Sequence, residues 1–167
     1  MTLQVPRYAI LGNSGSGKST LAQKLAAEHD LATLDLDTVY WKADQPGVEE
    51  DTAVAVAKLD AFIAQHDRWV IEGCYESLIS ASLKYDPELI FLDPGLERCV
   101  ANCNARPWEP HKYASSSAQN KQLAALLEWV TDYYVRSGIM SYAEHLALFS
   151  AYEGSKTHLT SLSLGCR

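Results

Sequence analysis

The chain has 167 residues, of which 47% are hydrophobic and 21% charged, and its formal net charge is -7 at pH 7. This length suits a single domain with one sizeable core, and we expect one domain over residues 1–167. The net negative charge opposes an extended grip on a nucleic-acid backbone, where lysines and arginines must replace counterions. The composition therefore disfavours direct nucleic-acid binding.

Apolar runs in the sequence are too short for a membrane span, which requires roughly 20 residues. Residues 1–7 also lack the basic segment, apolar stretch and small-residue cleavage site of a secretory signal. We therefore expect no membrane partner and a cytoplasmic protein.

The four cysteines contain no C-x-x-C pair; they are Cys74, Cys99, Cys103 and Cys166. A cytoplasmic setting favours free thiols, which we expect here. A metal site built from Cys99, Cys103 and His111 would lack a fourth ligand, so buried thiols are the preferred interpretation.

The first predicted element is a short apolar strand, residues 8–11, followed by a glycine-rich segment and a helix. The segment reads G-x-x-x-x-G-K-[ST] and continues into Thr20; its residues are Gly12, Asn13, Ser14, Gly15, Ser16, Gly17, Lys18 and Ser19. Its glycines permit positive φ, which turns successive N–H groups toward one anion, and the helix adds its N-terminal dipole. The pattern predicts a phosphate-binding loop for a nucleoside triphosphate, ATP or GTP, rather than a flexible linker. Lys18 is expected to reach the β- and γ-phosphates, and Ser19 to ligate Mg²⁺.

A second strand is predicted over residues 31–37, and it ends in two carboxylates, Asp35 and Asp37. Strand alternation places both side chains on one side. In an open parallel sheet the ligand crevice lies beyond the carboxyl ends of the strands, so we expect both beside the phosphate loop. The alternative is an aspartate that caps the next turn.

A third strand is predicted over residues 69–72, after a helix over residues 48–65. Gly73 and Tyr75 follow the strand in a tight exit toward the crevice, where we expect them to bind substrate. A glycine there permits close approach of backbone to a ligand. The alternative is a glycine that merely ends the strand.

A fourth strand, residues 88–93, has four apolar residues and ends in Asp93. We expect Asp93 to hold a Mg²⁺-bound water near Ser19, as the acid after such a strand does in phosphate-loop proteins. The alternative is that Asp93 caps the helix predicted over residues 96–103.

Residues 104–118 show no periodicity and carry three cationic side chains, Arg106, His111 and Lys112. We expect a movable lid whose cations neutralise the phosphates, with Arg106 as a catalytic residue, because phosphoryl transfer needs a closed site. A plain surface loop is the alternative.

A long helix is predicted over residues 119–136, with Arg136 in its last turn. Arg136 is either a nucleotide-binding residue or a cation that favours the C-terminal end of the helix dipole. A further helix, residues 140–152, and a fifth strand, residues 156–162, complete the prediction.

In the order of these signals the chain resembles the small adenylate-kinase-like P-loop kinases, and within them the short topology modulation proteins. The resemblance spans nearly the whole chain, and its first motif is specific by itself. The matching segments are GNSGSGKST at 12–20, LDLDTVYW at 34–41, WVIEGCY at 69–75, FLDP at 91–94, RPWEPHKY at 106–113 and HLALFSAYEGSK at 145–156.

The resemblance implies an α/β fold with a five-stranded parallel sheet of order 2-3-1-4-5, flanked by helices. It also implies an acceptor-binding region at about 38–68 and a lid at about 104–118. Shikimate and gluconate kinases are similar at the D-x-D step, which implies a metal-side role for Asp35 and an acceptor-side role for Asp37. The arginine that binds the second nucleotide in adenylate kinases is missing after Gly73.

The resulting hypothesis is an ATP- and Mg²⁺-dependent kinase in which Lys18 and Arg106 neutralise the moving phosphoryl group and Asp37 serves the acceptor. The acceptor is a hydroxylated metabolite or a nucleoside monophosphate. The alternative, which the resemblance to topology modulation proteins implies, is a regulator that uses nucleotide occupancy to switch a partner surface. The D-x-D pair favours the kinase, because a binding switch has no use for an acceptor carboxylate.

Overall fold

The computed structural model describes residues 5–162, and within them five parallel strands form one sheet of order β2-β3-β1-β4-β5. The strands are β1 (Arg7–Gly12), β2 (Ala32–Asp35), β3 (Trp69–Gly73), β4 (Glu88–Leu92) and β5 (Lys156–Leu159). Every pairing is parallel. The predicted fold class is therefore confirmed.

Seven α-helices and one 3-10 turn (Leu83–Tyr85) accompany the sheet in the described residues. The helices are α1 (Lys18–His29), α2 (Asp37–Tyr40), α3 (Thr52–Gln65), α4 (Glu76–Ser82), α5 (Leu96–Ala105), α6 (Ser116–Asp132) and α7 (Tyr142–Ala151). Across the part of the chain that is described, none of them combines the length and apolar character that a membrane crossing demands.

The central strands are buried because helices cover both faces of the sheet. Ala9 and Leu11 of β1 pack in a cluster with α3, α4 and α7, whereas Ile10 packs with α1 on the opposite face. This alternation follows from the two-residue repeat of a strand. Burial of a side chain such as Ile10 or Leu11 contributes roughly 1.5–3 kcal/mol, which makes β1 a rigid support for the loop that follows it.

Two elements differ from their predicted bounds in ways that concern the site. Strand β2 ends at Asp35, because the Asp35 side chain accepts a hydrogen bond from the Asp37 amide at 2.9 Å and turns the chain into α2. Helix α6 ends at Asp132, so that Arg136 lies beyond it rather than in its last turn. The chain reverses there through Gly138 and Met140, both at positive φ.

The strand register places the candidate residues at one edge of the sheet. Asp35 of β2 is the partner of Glu72 in β3, and Leu11 of β1 is the partner of Gly73. Because parallel strands end at the same edge, the phosphate loop after β1 lies beside these residues.

Candidate functional site

The loop after β1 has the backbone of an anion-binding nest. Gly15 and Gly17 have φ values of 75° and 97°, which L side chains rarely adopt. A Cβ at Gly15 would lie 2.4 Å from the Cys99 carbonyl oxygen, so the loop and α5 can approach this closely only with glycine there. Helix α1 begins directly after Gly17 with no side-chain cap and no acid in its first turn. Its free N–H groups therefore suit an anionic ligand.

Hydrogen bonds to α5 and α6 hold the loop from outside. The Asn13 amide donates to the Val130 carbonyl at 3.2 Å, and the Asn102 amide donates to the Gly15 carbonyl at 2.7 Å. Lys18 is buried, and its ammonium donates to the Asn13 carbonyl at 2.7 Å across the loop. The loop is thus held in shape by its own lysine and by two asparagines.

Ser19 is paired with a carboxylate that the sequence analysis did not single out. Its hydroxyl donates to Glu72 Oε1 at 2.8 Å, and Glu72 is only 6% exposed. Burial raises the pKa of Glu72, the Lys18 ammonium opposes this, and the Asp35 carboxylate adds to it. The signal in the sequence was an acid inside strand β3, all five residues of which are buried. Such an acid needs a partner or a function.

Asp35 and Asp37 both reach the same lid cation. The Lys112 ammonium lies 3.1 Å from Asp35 Oδ2, 2.7 Å from Asp37 Oδ2 and 3.4 Å from Glu109 Oε1. His111 Nε2 is 4.0 Å from Asp35 Oδ2. Lys112, in the segment between α5 and α6, therefore contacts both aspartates, and Asp35 accepts the Asp37 amide with Oδ1 and faces Lys112 with Oδ2.

A layer of aromatic side chains holds the other oxygen of Asp37. The Tyr75 hydroxyl donates to Asp37 Oδ1 and accepts from the Trp41 indole N–H at 2.8 Å. The Tyr40 ring stacks on Tyr75 with a centroid separation of 3.9 Å. Tyr75 is buried, so it reaches the site through Asp37.

The electrostatics of this pair favour an ionised Asp37. Burial raises the pKa of Asp37, and the Lys112 ammonium, the Tyr75 hydroxyl and Lys18 lower it by more. The net pKa therefore lies below the ordinary value for an aspartate. Burial lowers the pKa of Lys112, and Asp37 and Asp35 more than reverse this, so the net pKa is raised. Both groups are charged at neutral pH.

These residues line one cleft of about 620 Å³. It brings together most of the predicted site residues, namely Ser14, Gly15, Gly17, Lys18, Ser19, Thr20, Asp35, Asp37, Gly73 and Arg106. Arg106 lies at the end of α5, with Nη1 3.5 Å from Glu109 Oε2. Packing also favours glycine at position 73, because a Cβ there would lie 2.9 Å from Leu36 Cβ.

Asp93 is directed elsewhere. Its carboxylate accepts a hydrogen bond from the Tyr134 hydroxyl, and its second oxygen lies 3.7 Å from His158 Nε2. Helix α5 begins after Gly95 with no side-chain cap, so Asp93 does not cap it. Among the described residues the carboxylate that contacts Ser19 is that of Glu72.

Arg136 also lies outside the cleft lining. Its guanidinium stacks 3.5 Å from the Trp129 ring centroid and donates to the carbonyls of Trp129 and Met140. These contacts fasten the turn between α6 and α7.

Cys99 and Cys103 are buried in α5 beneath the loop, with Cys103 Sγ 2.6 Å from where a Cβ of Gly15 would be. Burial raises the pKa of Cys99 to about 11. The prediction for Cys166 falls outside residues 5–162. Within those residues, no group of three or more His, Cys, Asp or Glu side chains is arranged to hold a metal ion unaided.

The sequence matches no protein-family model and no curated protein. Among solved structures, the chain is similar to a sugar kinase from Janibacter sp. HTCC2649, in an unliganded structure, with 16% identity, 93% of this chain and 84% of that chain covered, and a TM-score of 0.52. A shikimate kinase from Acinetobacter baumannii in complex with shikimate has 18% identity over 86% and 91% of the two chains, and its TM-score of 0.46 is too low to support an inference. The likeness to the sugar kinase shows that the chain has the fold of a small P-loop kinase.

Proposed function

We propose that the protein transfers the γ-phosphoryl group of MgATP to a hydroxyl group of a small molecule. The observation that carries this proposal is one cleft in which Lys18 of the phosphate loop, Asp37 after β2 and the lid cations Arg106 and Lys112 face a common space. A phosphate loop alone indicates nucleotide binding. An ionised aspartate opposite it is what a phosphoryl acceptor requires.

The triphosphate fits the loop because the features that cradle it are already in place. The positive-φ glycines and the uncapped start of α1 present N–H groups to an anion. In this proposal Lys18 binds the β- and γ-phosphates in exchange for its bond to the Asn13 carbonyl. Arg106, whose only ion pair in the described residues is a 3.5 Å contact, neutralises charge on the transferred group.

Mg²⁺ also fits the residues of the cleft, since Ser19 and Glu72 present oxygens 2.8 Å apart and Asp35 is the register partner of Glu72. Mg²⁺ is usually held by one or two carboxylates together with phosphate and water oxygens, so a complete protein cage is not required. When bound, the ion neutralises phosphate charge and orients the triphosphate. We assign the metal side to Ser19, Glu72 and Asp35, and the role of Asp93 stays a prediction.

Asp37 is the residue that meets the acceptor hydroxyl. Tyr75 fixes one of its oxygens and Lys112 lies on the other, so that Oδ2 becomes available when Lys112 shifts. The carboxylate then orients the hydroxyl and accepts its proton as the new O–P bond forms and the bond from the γ-phosphorus to the β–γ bridging oxygen breaks, which releases ADP. Positioning and electrostatic stabilisation provide the rest of the catalysis, because phosphoryl transfer needs little covalent chemistry from the protein.

The finer assignments rest on the sequence motifs. The acceptor-binding region at about 38–68 includes Trp41, which supports Tyr75 and thus Asp37. The lid at about 104–118 includes Lys112. Membership of the topology modulation group, ATP as the nucleotide and a cytoplasmic location are part of the proposal on the same ground.

ADP release from MgATP tests the proposal across a panel of sugars, cyclic polyols, sugar acids and nucleoside monophosphates. We expect acceptor-dependent release from the wild-type protein. The variant Lys18→Ala should lose it and bind MgATP more weakly, because a charge at the β- and γ-phosphates is removed. Lys24→Ala is the matched control on the exposed side of α1 and should retain both properties. Unchanged binding and turnover in Lys18→Ala would remove the loop from the mechanism.

A further inference from the structure

The acceptor side of the cleft is acidic. The cleft lining contains four acidic side chains and three basic ones, namely Asp35, Asp37, Glu72, Glu109, Lys18, Arg106 and Lys112. Lys18 belongs to the phosphate loop, and Arg106 lies at the end of α5 beside it. Glu72 pairs with Ser19 on the metal side, and we call the other four side chains, Asp35, Asp37, Glu109 and Lys112, the acceptor wall, which Asp35 shares with the metal side.

Lys112 is the cation of the acceptor wall, and it forms ion pairs with Asp35, Asp37 and Glu109. Its ammonium lies within 3.4 Å of an oxygen of each of the three acids, and Lys112 is half-buried. An ammonium group has three N–H donors, and three carboxylate partners account for all of them. An anionic ligand that recruited Lys112 would take this ammonium from all three carboxylates, leaving Glu109 with Arg106 at 3.5 Å and Asp37 with the Tyr75 hydroxyl.

That exchange is unfavourable because carboxylates that lose this counter-charge repel one another and any added anion at short range. A neutral hydroxyl compound needs Lys112 to shift only from Asp37 Oδ2 and leaves it beside Asp35 and Glu109, and an ammonium group on the acceptor gains from the acidic wall.

We propose that the acceptor carries no phosphate, carboxylate or sulfate group and is a neutral or aminated polyhydroxyl compound. This inference rests on the proposed function and narrows its substrate class. It excludes nucleoside monophosphates and sugar acids, which the sequence left open, and it assigns the discrimination to the acceptor wall. The cations needed for an anionic substrate are on the nucleotide side of the cleft, where the triphosphate uses them.

The test uses matched acceptors that differ only in charge. Glucose, glucosamine, glucuronate and glucose 6-phosphate form one series; adenosine and adenosine monophosphate form another. Similar series of cyclic polyols and their acids extend the range. Binding is measured by calorimetry in the presence of Mg²⁺ and a non-hydrolysable ATP analogue, and transfer is measured by ADP release with detection of the product by mass.

Within each series that binds, we expect the neutral or aminated member to exceed the anionic one by at least about tenfold in affinity and in kcat/KM. The variant Glu109→Lys should narrow this preference, because it places a cation in the acceptor wall. Glu128→Lys, on the exposed face of α6, makes the same charge change away from the cleft and should keep the preference. Circular dichroism of both variants verifies that they fold.

An anionic member that binds and is phosphorylated better than its neutral counterpart would overturn this inference and leave the kinase assignment intact. Binding in the expected order without transfer would support the inference about the acceptor wall and contradict the kinase assignment. Absence of both binding and transfer throughout the panel would contradict the two proposals together.

Discussion

At the scale of single residues, Glu72 and Asp93 are the two candidate carboxylates for the proposed Mg²⁺ site beside Ser19. The sequence favoured Asp93, because an acid that ends an apolar strand is the usual position. In the structure Tyr134 and His158 lie against Asp93, and Glu72 contacts Ser19. Glu72 precedes the end of its strand, so only the register of β3 with β1 and β2 reveals that it reaches the loop.

The variant Glu72→Gln should raise the Mg²⁺ concentration needed for half-maximal turnover by about tenfold or more, the usual scale for loss of a metal-site partner. Asp93→Asn is the matched comparison, and we expect the Mg²⁺ requirement to stay near that of the wild-type protein. Titration of ADP release with Mg²⁺ at fixed ATP measures both. A raised Mg²⁺ requirement in Asp93→Asn and a normal one in Glu72→Gln would mean that Asp93, rather than Glu72, holds the metal.

Lys112 lies 2.7 Å from Asp37, the base in the proposed mechanism. In Lys112→Met, burial of Asp37 is no longer opposed by the ammonium, so the pKa of Asp37 rises. A base must be ionised to act, and the acid limb of the kcat/KM profile should therefore move to higher pH. Lys121→Met on exposed α6 is the control. An acid limb at the same pH in Lys112→Met as in the wild-type protein would mean that Lys112 does not set the pKa of Asp37.

At the scale of elements, the sequence indicated an irregular stretch between α5 and α6, but not what that stretch contacts. The loss of periodicity after residue 103 indicated an irregular stretch, and its cations suggested contact with phosphates. Lys112 instead contacts Asp35 at the end of β2 and Asp37 just after it, some 75 residues away in sequence. Their proximity depends on how α5 and α6 pack. Short elements such as α2 and α4 were missed because they contain too few residues for a periodic pattern.

Hydrogen exchange tests whether the lid moves. The amides of Lys112 and Tyr113 donate to the Glu109 carbonyl at 3.0 and 2.9 Å, in a turn tied to α6 by Gln119. We expect residues 108–113 to exchange more slowly when Mg²⁺, a non-hydrolysable ATP analogue and an acceptor are bound, since closure excludes water. Equal exchange in the free and bound protein would mean that the segment is a plain surface loop.

At the scale of the whole molecule, a buried histidine joins the sheet to the last helices. His145 Nε2 donates to the Cys74 carbonyl at 2.8 Å, and therefore Nδ1 accepts from the Tyr133 hydroxyl at 2.8 Å. Glu76 Oε2 lies 3.7 Å from Nε2. Burial lowers the pKa of His145 to about 4, against the smaller opposing effect of the Cys74 carbonyl. This side chain links β3, the end of α6 and α7 in the neutral form.

The free energy of unfolding should therefore depend on pH through His145. Between pH 6.5 and about 4 the unfolded chain binds a proton that the folded protein does not, so this contribution to stability is lost as pH falls across that window. The loss is about 3 kcal/mol for a shift of this size. Denaturant unfolding at several pH values should show a shallower pH dependence for His145→Gln than for the wild-type protein. Parallel profiles would mean that His145 does not titrate differently on folding.

The proposed kinase activity of the whole molecule depends on Asp37. In Asp37→Asn the amide keeps the shape of the side chain but loses the charge, so transfer to the identified acceptor at saturating MgATP should fall by at least about a hundredfold. MgATP affinity should stay within a few-fold of wild type, because Asp37 faces the acceptor. Asp35→Asn should instead raise the Mg²⁺ requirement, and Asp44→Asn in the exposed loop before α3 should change neither property.

The decisive measurement is the single-turnover rate of phosphoryl transfer in Asp37→Asn, with MgATP affinity determined on the same preparation. A large loss of rate with nearly unchanged affinity is the result that the proposed mechanism predicts. Normal transfer in Asp37→Asn and Asp35→Asn would contradict the role of both aspartates. If no acceptor supports transfer while nucleotide changes the association of the protein with another protein, the chain is a nucleotide-dependent regulator and the kinase assignment is wrong.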